Sequence, residues 1–391
     1  MRVADSQEYL QALLDAIRPG TDEVLAFYDH RVGVIGTDAK LMLMPWDDHL
    51  VHRGDGVFES LKFEGRKLYQ LDAHIRRMKI SCQAIHLEPP CSWGELAEAI
   101  VEVARAGNEP NGLVRVLLGR GPGGFGLDPY ESPVQSMYVV AYRMHKRPEA
   151  AFEKGVSAMR TSIPAKQSWM ATVKTTNYLP NVLMKREAVN NRVDFPFCYD
   201  DNGFLAEGAT ENVALVDDAG RLVIPEFTNA LAGTTLMRAV DLVKGDMPII
   251  FKGVTEDEVY TAREVMMVGT SFDAIGVVRY NNKPIFDARP GPVTKKIRAL
   301  LQADLLKSGL VFYANERNHA PGSFHSRNGR AGRFCFQGGS MDTLVCHCFG
   351  YTRGDIERDA LAHGRSTILE GIVAEKAAGG CQCAVKNPTG R

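Results

Sequence analysis

Apolar positions in residues 6–18 recur at helical spacing: Tyr9, Leu10, Leu13, Leu14 and Ile17 share one face, and Pro19-Gly20 ends the pattern. An amphipathic helix is predicted there. Short β-rich runs follow at 31–35, 40–44, 56–63 and 67–71, then two helical patterns at 72–84 and 93–106. Residues 113–118 and 136–142 again favour strand, separated by the glycine-dense loop 119–129. From Gly155 onward strands are predicted at 156–162, 195–199, 212–216, 221–224, 264–268 and 274–278, and helices at 179–190, 235–242 and 293–306. Strands dominate and regular β-α-β alternation is lacking, so the class is α+β rather than a doubly wound parallel sheet. No internal repeat is evident.

The pattern lapses after about residue 310. Residues 313–340 are rich in Gly and Arg and show no apolar period, which predicts a flexible linker rather than an RNA-binding arm. Order signals return from Leu344. Thr352-x-x-Asp355 and Thr367-x-x-Glu370 have the form of capping boxes opening two short helices, and Gly379-Gly380 ends the second. A module this small folds with difficulty unless something staples it.

Composition narrows the function classes. The 391 residues are 45% hydrophobic and 24% charged, ordinary values for a globular protein, and 46 Lys plus Arg against 47 Asp plus Glu give a net charge of -1. That balance gives no global electrostatic basis for binding nucleic acid or a membrane surface. No apolar run reaches the ~18 residues of a bilayer span, and the first residues lack the apolar core of a signal peptide, so a cytoplasmic location is expected. Cys82, Cys91 and Cys198 are scattered, as buried thiols usually are. Cys335, Cys346, Cys348, Cys381 and Cys383 instead crowd the end of the chain. In a reducing compartment, two Cys-x-Cys pairs suggest a metal before a disulfide framework.

Chemistry enters with two segments. A lysine such as Lys174, between a strand-like turn and a helix start in Val173-Lys174-Thr175-Thr176-Asn177-Tyr178, is by default a surface charge. It is followed by Gly203-Phe204-Leu205-Ala206-Glu207-Gly208-Ala209-Thr210-Glu211-Asn212-Val213. Together the two resemble the class IV (branched-chain and D-amino acid) aminotransferases, pyridoxal 5′-phosphate enzymes of fold type IV, and the resemblance extends over roughly residues 26–308. His74-Ile75-Arg76-Arg77-Met78, Leu231-Ala232-Gly233-Thr234-Thr235, Val268-Gly269-Thr270-Ser271 and Gly291-Pro292-Val293-Thr294-Lys295 match further family fragments in the family order. The implied architecture is an N-terminal helical extension (1–25), a small α+β domain (26–148), a larger β-rich, pseudo-barrel cofactor-binding domain (149–310), a linker (311–342) and a small helical Cys-rich module (343–391).

The residue types suit that chemistry. A lysine amine can form a Schiff base with the cofactor aldehyde and then shuttle a proton, provided it is desolvated enough to lose its charge; the resemblance assigns this role to Lys174. The pyridine nitrogen must stay protonated, so a carboxylate must face it, by resemblance Glu207. The resemblance further implies that Arg77, Thr234, Thr235 and Thr270 bind the cofactor phosphate and that Tyr178 bonds its phenolic oxygen. A helix start at Thr235 suits a dianion. Leu236 stands where the family usually has Arg, and Met78 where it has Leu.

Substrate choice stays open at this level. Arg115 and Gly124-Phe125-Gly126-Leu127-Asp128-Pro129 resemble the branched-chain enzymes, and Phe125 and Leu127 stand where the D-amino acid enzymes place an Arg-x-His carboxylate trap. The step from Lys174 to Asn177, however, resembles that of the D-amino acid aminotransferases and aminodeoxychorismate lyases. Gly54-Asp55-Gly56-Val57-Phe58-Glu59-Ser60 is shared by several subgroups. The implied reaction moves an amino group between an amino acid, in the first place a branched-chain L-amino acid, and a 2-oxo acid such as 2-oxoglutarate, with Phe58, Arg115 and Ser271 as substrate contacts. A 4-amino-4-deoxychorismate lyase and a D-amino acid aminotransferase are the alternatives, and family members are often homodimers or larger homo-oligomers. The end of the chain, Cys346-His347-Cys348 through Cys381-Gln382-Cys383 to Arg391, resembles bacterioferritin-associated-ferredoxin-like 2Fe-2S domains. Four thiolates, Cys346, Cys348, Cys381 and Cys383, would meet the usual requirement of such a cluster. The form with the closest match continues with a Cys-Cys pair beyond the point where this chain ends, so a 2Fe-2S cluster, tetrahedral zinc and a metal-free remnant all stay open, as does an electron-transfer or metal-binding role for the module.

Overall fold

The strand runs predicted at 56–63, 113–118 and 136–142 form the centre of a seven-stranded antiparallel sheet in a computed structural model, which describes residues 1–313, 344–346, 351–352 and 368. The strand order is Leu310–Val311, Lys67–Leu68, Gly56–Glu64, Gly112–Gly119, Ser136–Tyr142, Val24–Asp29 and Val34–Gly36. Alternation along Gly56–Glu64 sorts its side chains between two faces. Val57 and Leu61 face the helices Leu71–Ala84 and Trp93–Ala106, where they pack with Met78, Leu96, Ile100, Val116 and Val139. Phe58 and Ser60 point the other way, and the register Ser60↔Arg115 puts Arg115 beside them. A capping box between Ser92 and Glu95 opens the second helix.

A second sheet runs Ile249–Lys252, Leu222–Pro225, Asn212–Val216, Glu264–Gly269, Asp273–Tyr280, Val156–Arg160 and Phe195–Phe197. It is mixed: Leu222–Pro225 with Ile249–Lys252, and Val156–Arg160 with both of its neighbours, are parallel. Helices Thr234–Val243 and Pro292–Ser308 cover one face through Leu236, Ala239, Ile297 and Leu301, packed on Ala214, Val216, Met266 and Val268. Val213, Leu215, Val265, Met267, Val277 and Tyr280 fill the other face. One buried ion pair ties the two sheets: Lys62 Nζ donates to Asp273 Oδ1 at 2.5 Å, with both side chains shut from solvent.

Several local expectations change. Residues 40–44 are not a strand; Asp38 caps the Lys40 N–H and the chain turns through the 3₁₀ helix Ala39–Leu41. In 31–35 the first residues form a turn, with Arg31 folded back on Asp29, and only Val34–Gly36 pairs. Val24–Asp29 pairs instead, and its burial lacks the period of two that would mark it as a strand. The helix Ser6–Asp15 forms behind an Asp5–Glu8 capping box but buries none of its residues, and Ile17 lies beyond its end.

The chain divides into two compact units, Met1–His319 and Ala320–Arg391. In the second unit Leu344–Cys346 pairs antiparallel with Tyr351–Thr352, and Ile368 is helical. Cys335, Cys348, Cys381, Cys383, most of the predicted linker and the rest of the two predicted helices lie outside the described residues. No helix among the described residues is long and apolar enough to cross a membrane.

Candidate active site

Lys174 is held by pairing with the first sheet. The Phe58 N–H donates to the Lys174 carbonyl at 3.0 Å, Thr175 bridges Val57, and the Lys174 N–H donates to Ser81 Oγ at 3.1 Å. The motif asparagine, Asn177, points away from the chemistry: its Nδ2 donates to the Gly54 carbonyl at 2.9 Å. Gly54 sits at φ +66°, where a Cβ would come 2.6 Å from Asn177 Oδ1, so glycine is required there. The motifs at 54–60 and 173–178 are thus one structural unit, a strand and the lysine segment zipped to it.

A cavity of about 450 Å³ lies between the sheets. Lys174, Arg77, Tyr178, Glu207, Thr234, Thr235, Thr270, Phe58, Arg115 and Ser271 all line it, so the first-unit residues singled out from sequence are brought together without exception. Cys346 lies in the strand Leu344–Cys346, in the other unit. Among the described residues no cluster of three or more His, Cys, Asp or Glu side chains gathers that could hold a metal.

The electrostatics of the cavity depart from those of free side chains. Burial, reinforced by the nearby Arg77 charge, lowers the Lys174 ammonium to about 8, with Glu59 and Glu207 pulling the other way. Its Nζ donates to the Tyr178 hydroxyl at 3.2 Å and sits 4.6 Å over the Phe58 ring. Burial raises Glu207 to about 7, against the pull of Lys166, a 3.1 Å hydrogen bond from the Leu231 N–H, and Lys174. Burial likewise pushes the Tyr178 hydroxyl up, so it stays protonated.

Arg77 is set by a residue that the sequence did not single out. Its Nε and Nη2 donate to the two oxygens of Glu59 at 2.7 Å each, and its Nη1 to the Ala232 carbonyl at 3.1 Å. Burial alone would raise the Glu59 carboxyl, but Arg77 and His74 overrule it and hold it at about 2. His74 Nδ1 lies 2.6 Å from Glu59 Oε2, and its Nε2 lies 3.2 Å from Thr234 Oγ1. Burial lowers the His74 ring despite that carboxylate, so it is neutral: Nδ1–H donates to Glu59, and the Thr234 hydroxyl donates to Nε2. Glu59 therefore fixes both Arg77 and Thr234. Its position in a shared motif was visible, but nothing in the spacing shows that its carboxylate turns inward to the helix 71–84. Arg76, the neighbouring arginine, is exposed.

Pyridoxal 5′-phosphate fits this donor set. The helix Thr234–Val243 starts at Gly233 with no side-chain cap, leaving first-turn N–H groups available to an anion beside the Thr234 and Thr235 hydroxyls. A Cβ at Gly233 would come 1.9 Å from Asn212 Oδ1, so the backbone there comes close to its support. Three of the five Arg77 N–H donors are used, which leaves two for a phosphate. The amine with a lowered pKa and the buried carboxyl complete the requirements of an aldehyde cofactor with a basic ring nitrogen. Leu236, at the position of the usual family arginine, is buried in the apolar cluster, and Arg238, two residues on, pairs with Asp304.

Comparison with known proteins agrees with the geometry. Residues 56–280 match the family model for amino-transferase class IV. A chloroplastic D-amino-acid transaminase from Arabidopsis thaliana is 33% identical over 298 residues, 73% of this chain and 78% of that protein. A putative branched-chain-amino-acid aminotransferase from Methanocaldococcus jannaschii is 28% identical over 279 residues, 71% of this chain and 95% of that protein. A branched-chain amino acid aminotransferase from T.th., solved with pyridoxamine 5′-phosphate, superposes with a TM-score of 0.69 at 25% identity, covering 72% of this chain and 94% of that one.

Proposed function

The chain belongs to the amino-transferase class IV family and is a pyridoxal-phosphate-dependent aminotransferase, and on that premise we propose that it moves the amino group of a branched-chain L-amino acid to a 2-oxo acid such as 2-oxoglutarate, with Lys174 as the working amine. The observation that carries this reading is the meeting, in one cavity, of a lysine lowered to about 8 and a carboxyl raised to about 7 beside an uncapped helix start. Arg77, the Thr234 backbone N–H, Thr235 and Thr270 would hold the phosphate, Glu207 the ring nitrogen and Tyr178 the phenolic oxygen. When bound, the cofactor supplies an electron sink for the charge left by loss of the substrate's α-proton. Lys174 Nζ, near neutrality in its own titration, would accept that proton from the substrate α-carbon and deliver it to the cofactor carbon on the far side of the exchanged nitrogen. Tyr178 holds Nζ in place through its hydroxyl, and its ring meets Phe58 edge to face at 4.9 Å. These two rings form an apolar wall that suits a branched aliphatic side chain and keeps water from the amine. Arg115, hydrogen-bonded among the described residues to the Ser60 and Tyr142 hydroxyls, offers its charge to the side-chain carboxylate of an acceptor such as 2-oxoglutarate, and the Thr270-Ser271 turn offers backbone amides to the α-carboxylate.

A second reading has its own support. The Arabidopsis relative is a D-amino-acid transaminase, and the three-residue step from Lys174 to Asn177 is of that type. A panel of L- and D-amino donors with 2-oxoglutarate, followed at the absorption of the bound cofactor, separates the two. Turnover of L-leucine, L-isoleucine or L-valine supports the first reading, turnover of D-amino acids alone the second. Pyruvate released without any 2-oxo acid acceptor would place the chain with the lyases.

We also propose a domain boundary near residue 148, which the change from one sheet to the other between Tyr142 and Val156 supports, a cytoplasmic location, and a homodimer or larger homo-oligomer. Exposed Trp46, Phe125, Leu127 and Tyr130 on the first unit favour the oligomer, and sedimentation tests it. For the second unit the proposal is a 2Fe-2S cluster on Cys346, Cys348, Cys381 and Cys383, supported by the two Cys-x-Cys pairs. Iron and sulfide analysis of the full chain made without oxygen tests it, and colourless, iron-free protein would retire it.

A further inference from the structure

Lys166 is a cation in the cavity with no anion on it. It lies between the strand Val156–Arg160 and the short helix Ser168–Ala171, half-buried, with its ammonium 5.0 Å over the centre of the Tyr178 ring. Among the described residues that ammonium has no hydrogen bond and no ion pair. The other cations lining the cavity are all engaged: Arg77 by Glu59, Lys174 by the Tyr178 hydroxyl, Arg115 by the Ser60 and Tyr142 hydroxyls.

One loop brings Lys166 and Glu207 to the same side of the cavity. Asn229 Nδ2 donates to the Lys166 carbonyl at 2.9 Å, and two residues on the Leu231 N–H donates to Glu207 Oε2 at 3.1 Å. Lys166 and Asn229 lie outside the family motifs, whereas Glu207 and Leu231 lie within them. A carboxyl as buried as Glu207 reverts to its neutral form unless a cation faces it, and a neutral carboxyl cannot hold a ring nitrogen protonated. Among the described residues, Lys166, Lys174, Glu211, Tyr178 and Cys198 face Glu207. Lys166 exerts the largest favourable pull, ahead of the Leu231 N–H and Lys174, and Glu211 opposes them. Tyr178 and Cys198 are pushed up by burial and stay uncharged. Once Lys174 is engaged by the cofactor, Lys166 is the remaining cation among these groups.

We propose that Lys166 is a positioning residue that acts through Glu207, its free ammonium keeping that carboxylate ionised across the cavity so that it can serve the cofactor's ring nitrogen. The inference rests on the assignment of Glu207 to that nitrogen, and its test does not depend on turnover. In apo-protein carrying ¹³C-labelled glutamate, the Glu207 carboxyl signal is identified by its loss in Glu207→Gln and followed against pH. Lys166→Met should raise the Glu207 midpoint by about one pH unit or more, and Lys166→Arg should leave it near the wild-type value. In the holoenzyme the acid limb of kcat should move upward in Lys166→Met and return in Lys166→Arg. A Glu207 midpoint unmoved in folded Lys166→Met overturns the proposal. If Lys166→Met does not fold, Lys166→Gln is read in the same way. Wild-type protein that binds no pyridoxal phosphate would defeat the assignment of the cavity itself, whereas an unmoved midpoint in cofactor-competent protein defeats only the role of Lys166.

Discussion

Arg77 and Glu59 meet as a two-pronged ion pair, each carboxylate oxygen 2.7 Å from a different guanidinium nitrogen, with the carboxylate 1% exposed. The pair holds the arginine rigid before any anion arrives, so less freedom is lost when a phosphate binds. Glu59→Gln keeps the shape but removes the charge that orients Arg77 and accepts from His74. Loss of a charge-assisted bond of about 1.5–3 kcal/mol should weaken pyridoxal phosphate binding about ten- to hundredfold. Titration of apo-protein by intrinsic fluorescence measures this; unchanged affinity would show that Arg77 does not need its carboxylate.

Lys174→Ala should lower turnover by about 10⁴-fold or more, because both the nucleophile and the proton carrier go with one side chain. The variant should also lose the visible absorption that marks a covalently held cofactor. Wild-type rates in Lys174→Ala would transfer the chemistry to another residue, and Lys166 would be the first to examine.

The low pKa of Lys174 has a chemical signature in the free protein. Only the neutral amine attacks an acylating reagent, and the neutral fraction rises about tenfold per pH unit below the pKa. Modification of Lys174, read by mass spectrometry of its peptide, should climb with pH and level off near 8. An ordinary lysine, with a value of 10.5, would still be climbing beyond pH 10. Pyridoxal phosphate should protect the peptide.

The Lys62–Asp273 pair makes a separate prediction about stability. Lys62→Met strands a buried carboxylate and should cost about 3–5 kcal/mol in urea unfolding. Asp273 sits at φ +66°, a conformation that asparagine also tolerates. The double variant Lys62→Met/Asp273→Asn removes both charges and should recover part of the loss. A double variant no better than Lys62→Met would mean that the cost lies in packing and not in charge.

Much of the candidate site was legible because the family resemblance rests on short runs of residues. The resemblance picked out Lys174, Glu207 and the Thr234-Thr235 turn, and all three line the cavity. Strong alternation made Gly56–Glu64 and Gly112–Gly119 visible, and helical spacing did the same for Leu71–Ala84. Val24–Asp29 stayed hidden because only every third residue is buried, a consequence of how the strand lies against its neighbours. The partners that tune the site were hidden for a different reason. Glu59, Ser81 and Lys166 come from three distant stretches, and only the folded backbone brings a carboxylate, a hydroxyl and an ammonium to Arg77, to the Lys174 backbone and to the vicinity of Glu207.

The sheet that begins with Val24 is finished by Leu310–Val311, which pairs with Lys67–Leu68, and by Phe312, whose ring meets Phe63 at 5.4 Å in the core. Synthesis on the ribosome therefore leaves Lys67–Leu68 without its outer neighbour until some three hundred residues have been made, and an unpaired strand edge invites wrong partners in the meantime. Any expression clone cut before Phe312 would carry that vulnerability permanently.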